Sequence, residues 1–287
     1  MSPIELNLTT NILSFFDTPQ NYINYPNFVH MKFIDTHSHL YSSQFDHDRT
    51  QVVNNAIANG VSTILLPNIS SKYTKRMLAL CAEFPKNCYP MMGLHPCDLN
   101  EGNIKAELEH VEEELAKGGY IAVGEIGIDL YWDKTKLNIQ KEAFIQQIEL
   151  AKKYKLPIAI HVRDSFTEAI EIIENLNDEN LRGVFHCFTG NIDDAKRVIN
   201  LGGFYLGIGG VLTFKNSGLD KNIVAINLKY LILETDAPYL APAPNRGKRN
   251  ESKYLVNIAE KLAEIYNIDI KKIAEITTAN AKHLFKI

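Results

Sequence analysis

Short apolar runs alternate with amphipathic stretches along most of this chain. From Lys32 onward eight runs have strand character, at 32–36, 62–66, 89–94, 120–124, 157–160, 183–185, 204–208 and 230–233. They are apolar nearly throughout and lack the in–out alternation of a sheet with one wet face. That predicts strands covered on both faces of a parallel sheet. Helical periodicity fills the gaps. Ile104, Leu108, Val111 and Leu115 share one face, and Gly118-Gly119 supplies the stop. Phe144, Ile148 and Ala151 repeat the pattern in the next crossover. Ser165 followed by Glu168 has the form of a capping box opening a helix that carries Ala169, Ile172, Ile173 and Leu176. The weakest crossover follows Ile208, where only Asn222–Asn227 offers a short helix. Two helices close the chain, one near Ser252–Tyr266 and one opening at Asp269.

Eight β units separated by helices within residues 31–287 predict an α/β fold, a single-domain (β/α)8 TIM barrel. A doubly wound open sheet is the competing arrangement. No internal repeat, low-complexity tract or Gly/Ser linker marks a second domain. Residues 1–30 differ in character: they are rich in Asn and aromatics, and Pro19 and Pro26 break any long helix. They read either as an extension packing on the barrel through Phe15, Phe16, Tyr22, Tyr25 and Phe28, or as residues upstream of a start at Met31.

Composition narrows the class. A hydrophobic content of 45% supports a sizeable core. The formal net charge of −4 argues against coating nucleic acid by bulk charge and leaves a local basic patch open. Cys81, Cys88, Cys97 and Cys187 show no CxxC spacing, so they read as reduced thiols and point to the cytoplasm. No apolar run approaches the roughly 18 residues of a membrane span. The first 30 residues hold no Lys or Arg, so the positive start of a secretory signal is missing. Nothing in the chain calls for an obligate protein partner.

In a barrel the strand C-termini converge on one mouth, where the chemistry sits. His37 and His39 follow the first strand at i and i+2, so in extended chain both leave the same face. Glu125 follows the fourth strand, His161 the fifth, His186 the sixth, and Asp236 lies just past the eighth. His30, His47, His110 and His283 follow no such run and read as surface or tail residues. Four imidazoles and two carboxylates are too many for one tetrahedral zinc. They fit two divalent ions about 3.5–4 Å apart that share a carboxylate. Glu125 is the natural bridge, because a shared ligand must be anionic to screen two cations. Glu234 and Asp236 are themselves i and i+2, and phase alone leaves open which of them binds.

Other strand ends are polar as well. His95 follows the third strand and is placed either to touch substrate or to order its loop. Arg163 lies two residues past His161 on the same side, suited to an anionic group or to an ion pair with Asp164 or Glu168. Trp132, in a loop with Asp129 and Tyr131, reads as a base-stacking platform or a lid aromatic. Between Pro242 and Lys253, Arg246, Lys248, Arg249 and Lys253 face a single acid, Glu251. That segment starts near Asp236, so Arg246 and Arg249 are candidates to hold phosphate.

Seven motifs, DTHSHL, GLHP, GEIGIDLYWDKT, PIAIHVRDS, FHCFTG, ETDAPYLAPAPNRGKRNE and TTANAKHLF, together resemble the TatD family of metal-dependent nucleases among the amidohydrolase-like barrels. The resemblance covers about residues 32–285. It implies one metal on His37, His39, Glu125 and Asp236 and a second on Glu125, His161 and His186, which favours Asp236 over Glu234. It implies divalent-metal-dependent hydrolysis of DNA, with RNA as a further substrate, often from a 3′ end; some members are described as deacylases of aminoacyl-tRNA. The extension at 1–30 departs from the family pattern.

On this reading Glu125 and Asp236 are the catalytic carboxylates, and a metal-bound hydroxide attacks the phosphodiester directly. The metals are Mg, Mn or Zn, and an imidazole-rich donor set favours Zn or Mn on softness. A base deaminase would carry an HxGE run after strand five, where this chain has His161, Val162, Arg163 and Asp164. A dinuclear cyclic amidase would carry a lysine on strand four, where YIAVGE has none. Ester cleavage on aminoacyl-tRNA stays open. A barrel without catalysis is opposed by the complete ligand set.

Overall fold

The computed structural model describes residues 31–287. Three short parallel strands, β1 (Phe33–Asp35), β2 (Val61–Leu66) and β3 (Cys88–Pro90), pair in that order. Five more pair in sequence: β4 (Val123–Asp129), β5 (Ile158–Arg163), β6 (Gly183–Phe185), β7 (Phe204–Ile208) and β8 (Leu231–Leu233). The two groups join at both edges. Met92 bridges Val123, and the Gly124 N–H donates to the Met92 carbonyl at 2.9 Å. On the other side Ser38 bridges Ala237, and the Thr36 N–H donates to the Leu233 carbonyl at 3.0 Å. The sheet therefore closes as an eight-stranded parallel barrel, which removes the open-sheet alternative.

Helices α1 (Arg49–Ala58), α2 (Ser71–Glu83), α3 (Ile104–Lys117), α4 (Leu137–Tyr154), α5 (Phe166–Leu176), α6 (Ile192–Asn200) and α7 (Leu219–Ile223) cross between successive strands. α8 (Leu255–Tyr266) and α9 (Ile270–Phe285) follow β8. Leu108, Val111 and Leu115 are the buried face of α3, and Phe144, Ile148 and Ala151 belong to that of α4, as their spacing predicts. Asp269 caps α9 by accepting the Lys271 N–H at 2.7 Å.

Three local expectations change. β4 and β5 run past their apolar stretches, so Glu125 and His161 lie within strands and not beyond them. Polar side chains are tolerated there because they point into the barrel. Ser165 sits at the start of α5 but makes no cap; its hydroxyl donates to the Ile128 carbonyl at 2.6 Å and so ties β4 to the β5 end. The short crossover helix covers Leu219–Ile223 and not Asn222–Asn227, because Leu219 and Ile223 are the residues it can bury.

Two cores result. The larger lies between strands and helices. The smaller fills the barrel with inward residues such as Ile34, Leu65, Met91, Ala159, Val184 and Ile232, closed below by Ala281, Leu284 and Phe285 of α9. Inward positions repeat every second residue. Ala159 is therefore followed upward by His161 and Arg163, Val184 by His186, and Ile232 by Glu234 and Asp236. An apolar floor supports a polar layer. Among the described residues no helix is long and apolar enough to cross a membrane.

Candidate metal centre

The polar layer is organised about Glu125, which is almost wholly buried. Its Oε2 faces Nε2 of His37 at 3.2 Å and Nε2 of His39 at 3.4 Å. Its Oε1 faces Nδ1 of His161 at 2.8 Å and Nε2 of His186 at 2.9 Å. Asp236 Oδ1 lies 3.5 Å from His39 Nε2 and 3.9 Å from His37 Nε2, on the Oε2 side. The six residues picked out by strand-end position thus meet in one place, with one carboxylate oxygen turned to each histidine set. Burial alone would raise the Glu125 carboxyl pKa, yet His95, His186 and His37 around it hold it well below the usual range. Among the described residues no Lys or Arg pairs with Glu125 or Asp236; their counter-ions are imidazoles.

Neighbouring groups decide which ring nitrogen is free to bind a cation. The Tyr41 hydroxyl donates to the Pro67 carbonyl at 2.5 Å, so its oxygen accepts from His39 Nδ1 at 3.0 Å. That leaves the Nε2 lone pair of His39 toward Glu125 and Asp236. His161 Nε2 meets Asp129 Oδ2 at 2.9 Å, which leaves Nδ1 toward Glu125. Burial opposes ionisation of Asp129, but the His161 contact and the Tyr131 and Trp132 N–H groups outweigh it and hold the carboxyl down at about 2. Metal-binding histidines are oriented by second partners of this kind. His95 is arranged the other way. Its Nδ1 accepts the Cys97 N–H at 3.0 Å, so the proton sits on Nε2, 3.4 Å from Glu125 Oε1. Convergent lone pairs on a buried anionic bridge, with the ring protons turned outward, suit divalent cations.

Local backbone follows the same need. Asp236 is held at φ 57°, a conformation a non-glycine residue adopts at a cost, by its N–H to the His37 carbonyl at 2.8 Å. Gly127 allows β4 to approach β5: a Cβ there would lie 2.0 Å from the His161 carbonyl oxygen.

Above the cluster opens a cavity of about 620 Å³, lined by His39, His95, Asp129, Trp132, Arg163, Asp236, Tyr239 and Leu240 among others. Trp132 is 72% exposed, more than any other large hydrophobic side chain among the described residues. The Arg163 guanidinium stacks on the Tyr131 ring at 3.6 Å and stands 5.6 Å from that of Trp132. Arg246 and Arg249 are not part of the cavity wall. Arg249 donates to both oxygens of Asp48, at 2.8 and 2.7 Å, and to Glu251 at 3.1 Å. Arg246 lies over the Phe214 ring at 3.4 Å. The Arg249 donors are thus engaged by Asp48, which precedes α1, by Glu251 and by the Gln44 carbonyl. Arg246 is exposed on the loop after β8.

Tyr41, and the role of Asp129 toward His161, are absent from the reading of the sequence. Tyr41 is i+2 from His39, and Asp129 is i+4 from Glu125 on one strand, so their faces could have been inferred. The strand's continuation to Asp129 could not, because Gly127 and Asp129 look like a turn.

Comparison with known proteins agrees with this geometry. The profile of the family described as TatD related DNase matches residues 34–286. "Uncharacterized metal-dependent hydrolase YabD" of Bacillus subtilis is 39% identical over 254 residues, covering 88% of this chain and 98% of that protein. The "3'-5' ssDNA/RNA exonuclease TatD" of Pectobacterium parmentieri is 31% identical over 256 residues, covering 86% and 97%. The crystal structure of YjjV, a TatD homologue from Escherichia coli K12, superposes with a TM-score of 0.83 at 29% identity, covering 89% and 98%. A closed barrel with a histidine cluster about one buried glutamate, matched along nearly its whole described length, makes this chain a member of the TatD family of metal-dependent hydrolases, enzymes that act on ester bonds.

Proposed function

We propose that this enzyme removes nucleotides from the end of single-stranded DNA, and of RNA, at a centre of two divalent cations that share Glu125. The observation that carries the reading is the division of that carboxylate, Oε2 to His37 and His39 and Oε1 to His161 and His186. His37, His39, Asp236 and Oε2 would hold one ion, and His161, His186 and Oε1 the other. The pair of ions would neutralise the phosphoryl oxygens and make a water acidic enough to attack at neutral pH.

The chain's own groups supply the remainder. Asp236 Oδ1 orients the attacking water and takes its proton. His95 presents its Nε2 proton to a phosphoryl oxygen. Arg163, stiffened against Tyr131, pairs with the next phosphate, and Trp132 offers a face on which a base stacks. A cavity of about 620 Å³ is in the size range of small-ligand sites, which is compatible with a strand end entering it. The name carried by the Pectobacterium relative supports 3′ polarity.

Oligonucleotides labelled at the 3′ or the 5′ end, digested with Mn, Mg or Zn, test the proposal. Stepwise loss of the 3′ label as mononucleotide, stopped by chelator and restored by Mn, is the expected result. Release of ammonia without strand cleavage, or cleavage that persists in chelator, would overturn it.

A further inference from the structure

The proposed centre leaves one buried carboxyl without a task. Glu234 is fully buried on the inward face, two residues below Asp236. Its Oε2 has no hydrogen-bond partner, and the same is true of Nδ1 of His37 and Nδ1 of His186. These groups lie together: one ligating atom from each of His37, His186 and Glu234 falls within 4.8 Å of the other two. The two rings are stacked, with centroids 3.8 Å apart and planes 12° from parallel. Both Nε2 atoms face Glu125, so both Nδ1 edges turn away from it. His186 Nδ1 is 3.4 Å from Glu234 Oε1, near but off the line of a good hydrogen bond. Oε1 also accepts the Cys187 N–H, which anchors the carboxyl. The fold has made room for it, since a Cβ on Gly207 would stand 2.3 Å from Oε2.

We propose that Glu234 is a second shared carboxyl, set under the stacked pair as Glu125 is set over it, and that it holds the Nδ1 protons of both His37 and His186. It is a positioning residue and does not touch substrate. A neutral imidazole carries one proton; drawn to Nδ1, it leaves the Nε2 lone pair for a cation. His39 and His161 have such acceptors in Tyr41 and Asp129. His37 and His186 belong to different halves of the centre, so one buried carboxyl sets both halves at once. An oxygen buried without a partner is costly, and this role gives Oε2 one. The inference rests on the two-cation reading above.

Metal-stripped wild-type, Glu234→Gln and His161→Ala proteins would be titrated with Mn by calorimetry, and histidine side-chain nitrogen spectra recorded before metal is added. The glutamine amide sets a donor against one of the two Nδ1 donors. Because the amide oxygen can hold only one Nδ1 proton, Glu234→Gln is expected to weaken the binding of at least one ion by about 10- to 100-fold. The metal-free spectrum should lose the Nδ1-protonated signal of one of these two histidines, the one that faces the amide N–H. His161→Ala should lose one ion and keep the other. Unchanged affinities with unchanged tautomers in Glu234→Gln would overturn the shared role, since an amide cannot hold both Nδ1 protons. Wild-type protein that saturates at one ion would overturn the two-cation reading instead, while the metal-free spectra would still judge Glu234. If Glu234→Gln does not fold, Gly207→Ala, which crowds Oε2 and keeps the carboxyl, serves for the same comparison.

Discussion

Two arginines illustrate how little a side chain's charge says about its work. Arg163 reaches the cavity and carries no ion pair among the described residues, whereas Arg249 is tied to Asp48 and Glu251. Replacing Arg163 with Ala should weaken oligonucleotide binding at all sequences alike. It should flatten the log–log salt slope by about 0.7, the share of one phosphate contact on a single strand. Arg249→Ala should leave that slope unchanged and lower the melting temperature, since it removes a bidentate pair and leaves Asp48 unpartnered. Equal slopes for Arg163→Ala and wild type would remove Arg163 from the substrate path. Trp132→Ala is a third probe: if bases stack on the exposed indole, binding should fall by about 1–3 kcal/mol, while hydrolysis of a small activated phosphodiester should change little.

The metal centre exists only because β1 and β8, far apart in sequence, meet. Asp35 makes that seam. It is fully buried, and its oxygens accept the Thr235 N–H at 2.8 Å and the Thr235 hydroxyl at 2.6 Å. Burial is the main influence on its carboxyl and pushes it up to about 7, against the pull of hydrogen bonding from Ser252, Thr235 and the His37 N–H. Asp35→Ala would orphan the buried Thr235 N–H and hydroxyl and remove the longer contact of the His37 N–H, a cost on the order of 3 kcal/mol. Thermal unfolding should show a fall of roughly 6–12 °C in the midpoint for a domain of this size. It should also reduce metal binding, because His37 and Asp236 hang from the two strands joined. A midpoint within about 2 °C of wild type would mean that the remaining backbone bonds of the seam suffice.

At the scale of the whole molecule, anions and lone pairs are gathered at one end of an apolar barrel. Cations that bind the folded chain alone must then stabilise it. Free Mn at about 100 times its dissociation constant should add about 2.7 kcal/mol per site, read as a rise in melting temperature that chelator reverses. A midpoint indifferent to Mn would argue against a cation-binding centre. The domain boundary is a separate matter. Residues 1–30 lie outside the described residues, and every group of the proposed centre lies beyond them. We propose that the barrel begins at Met31, which is buried in the larger core. A chain starting there should fold and retain most of its nuclease activity, and insoluble or inactive protein would show that the first 30 residues belong to the folded unit.

The sequence alone determined the barrel and the cluster. Eight doubly buried strands need helices on their outer face, and parallel strands deliver their C-terminal side chains to a common mouth. His37, His39, Glu125, His161, His186 and Asp236 were legible because strand-end position is a one-dimensional property that closure turns into proximity. Tertiary structure decided how those residues are supported and which charges are free. The ring protons of His39, His161 and His95 are set by Tyr41, Asp129 and the Cys97 N–H, through hydrogen bonds whose directions no spacing encodes. Arg249 and Arg163 look equivalent on paper. They differ because Asp48, distant in the chain, folds against one, whereas among the described residues the other stacks on aromatic rings and carries no ion pair. Local pattern fixes which face a residue occupies; the partner waiting on that face is a matter of packing between elements.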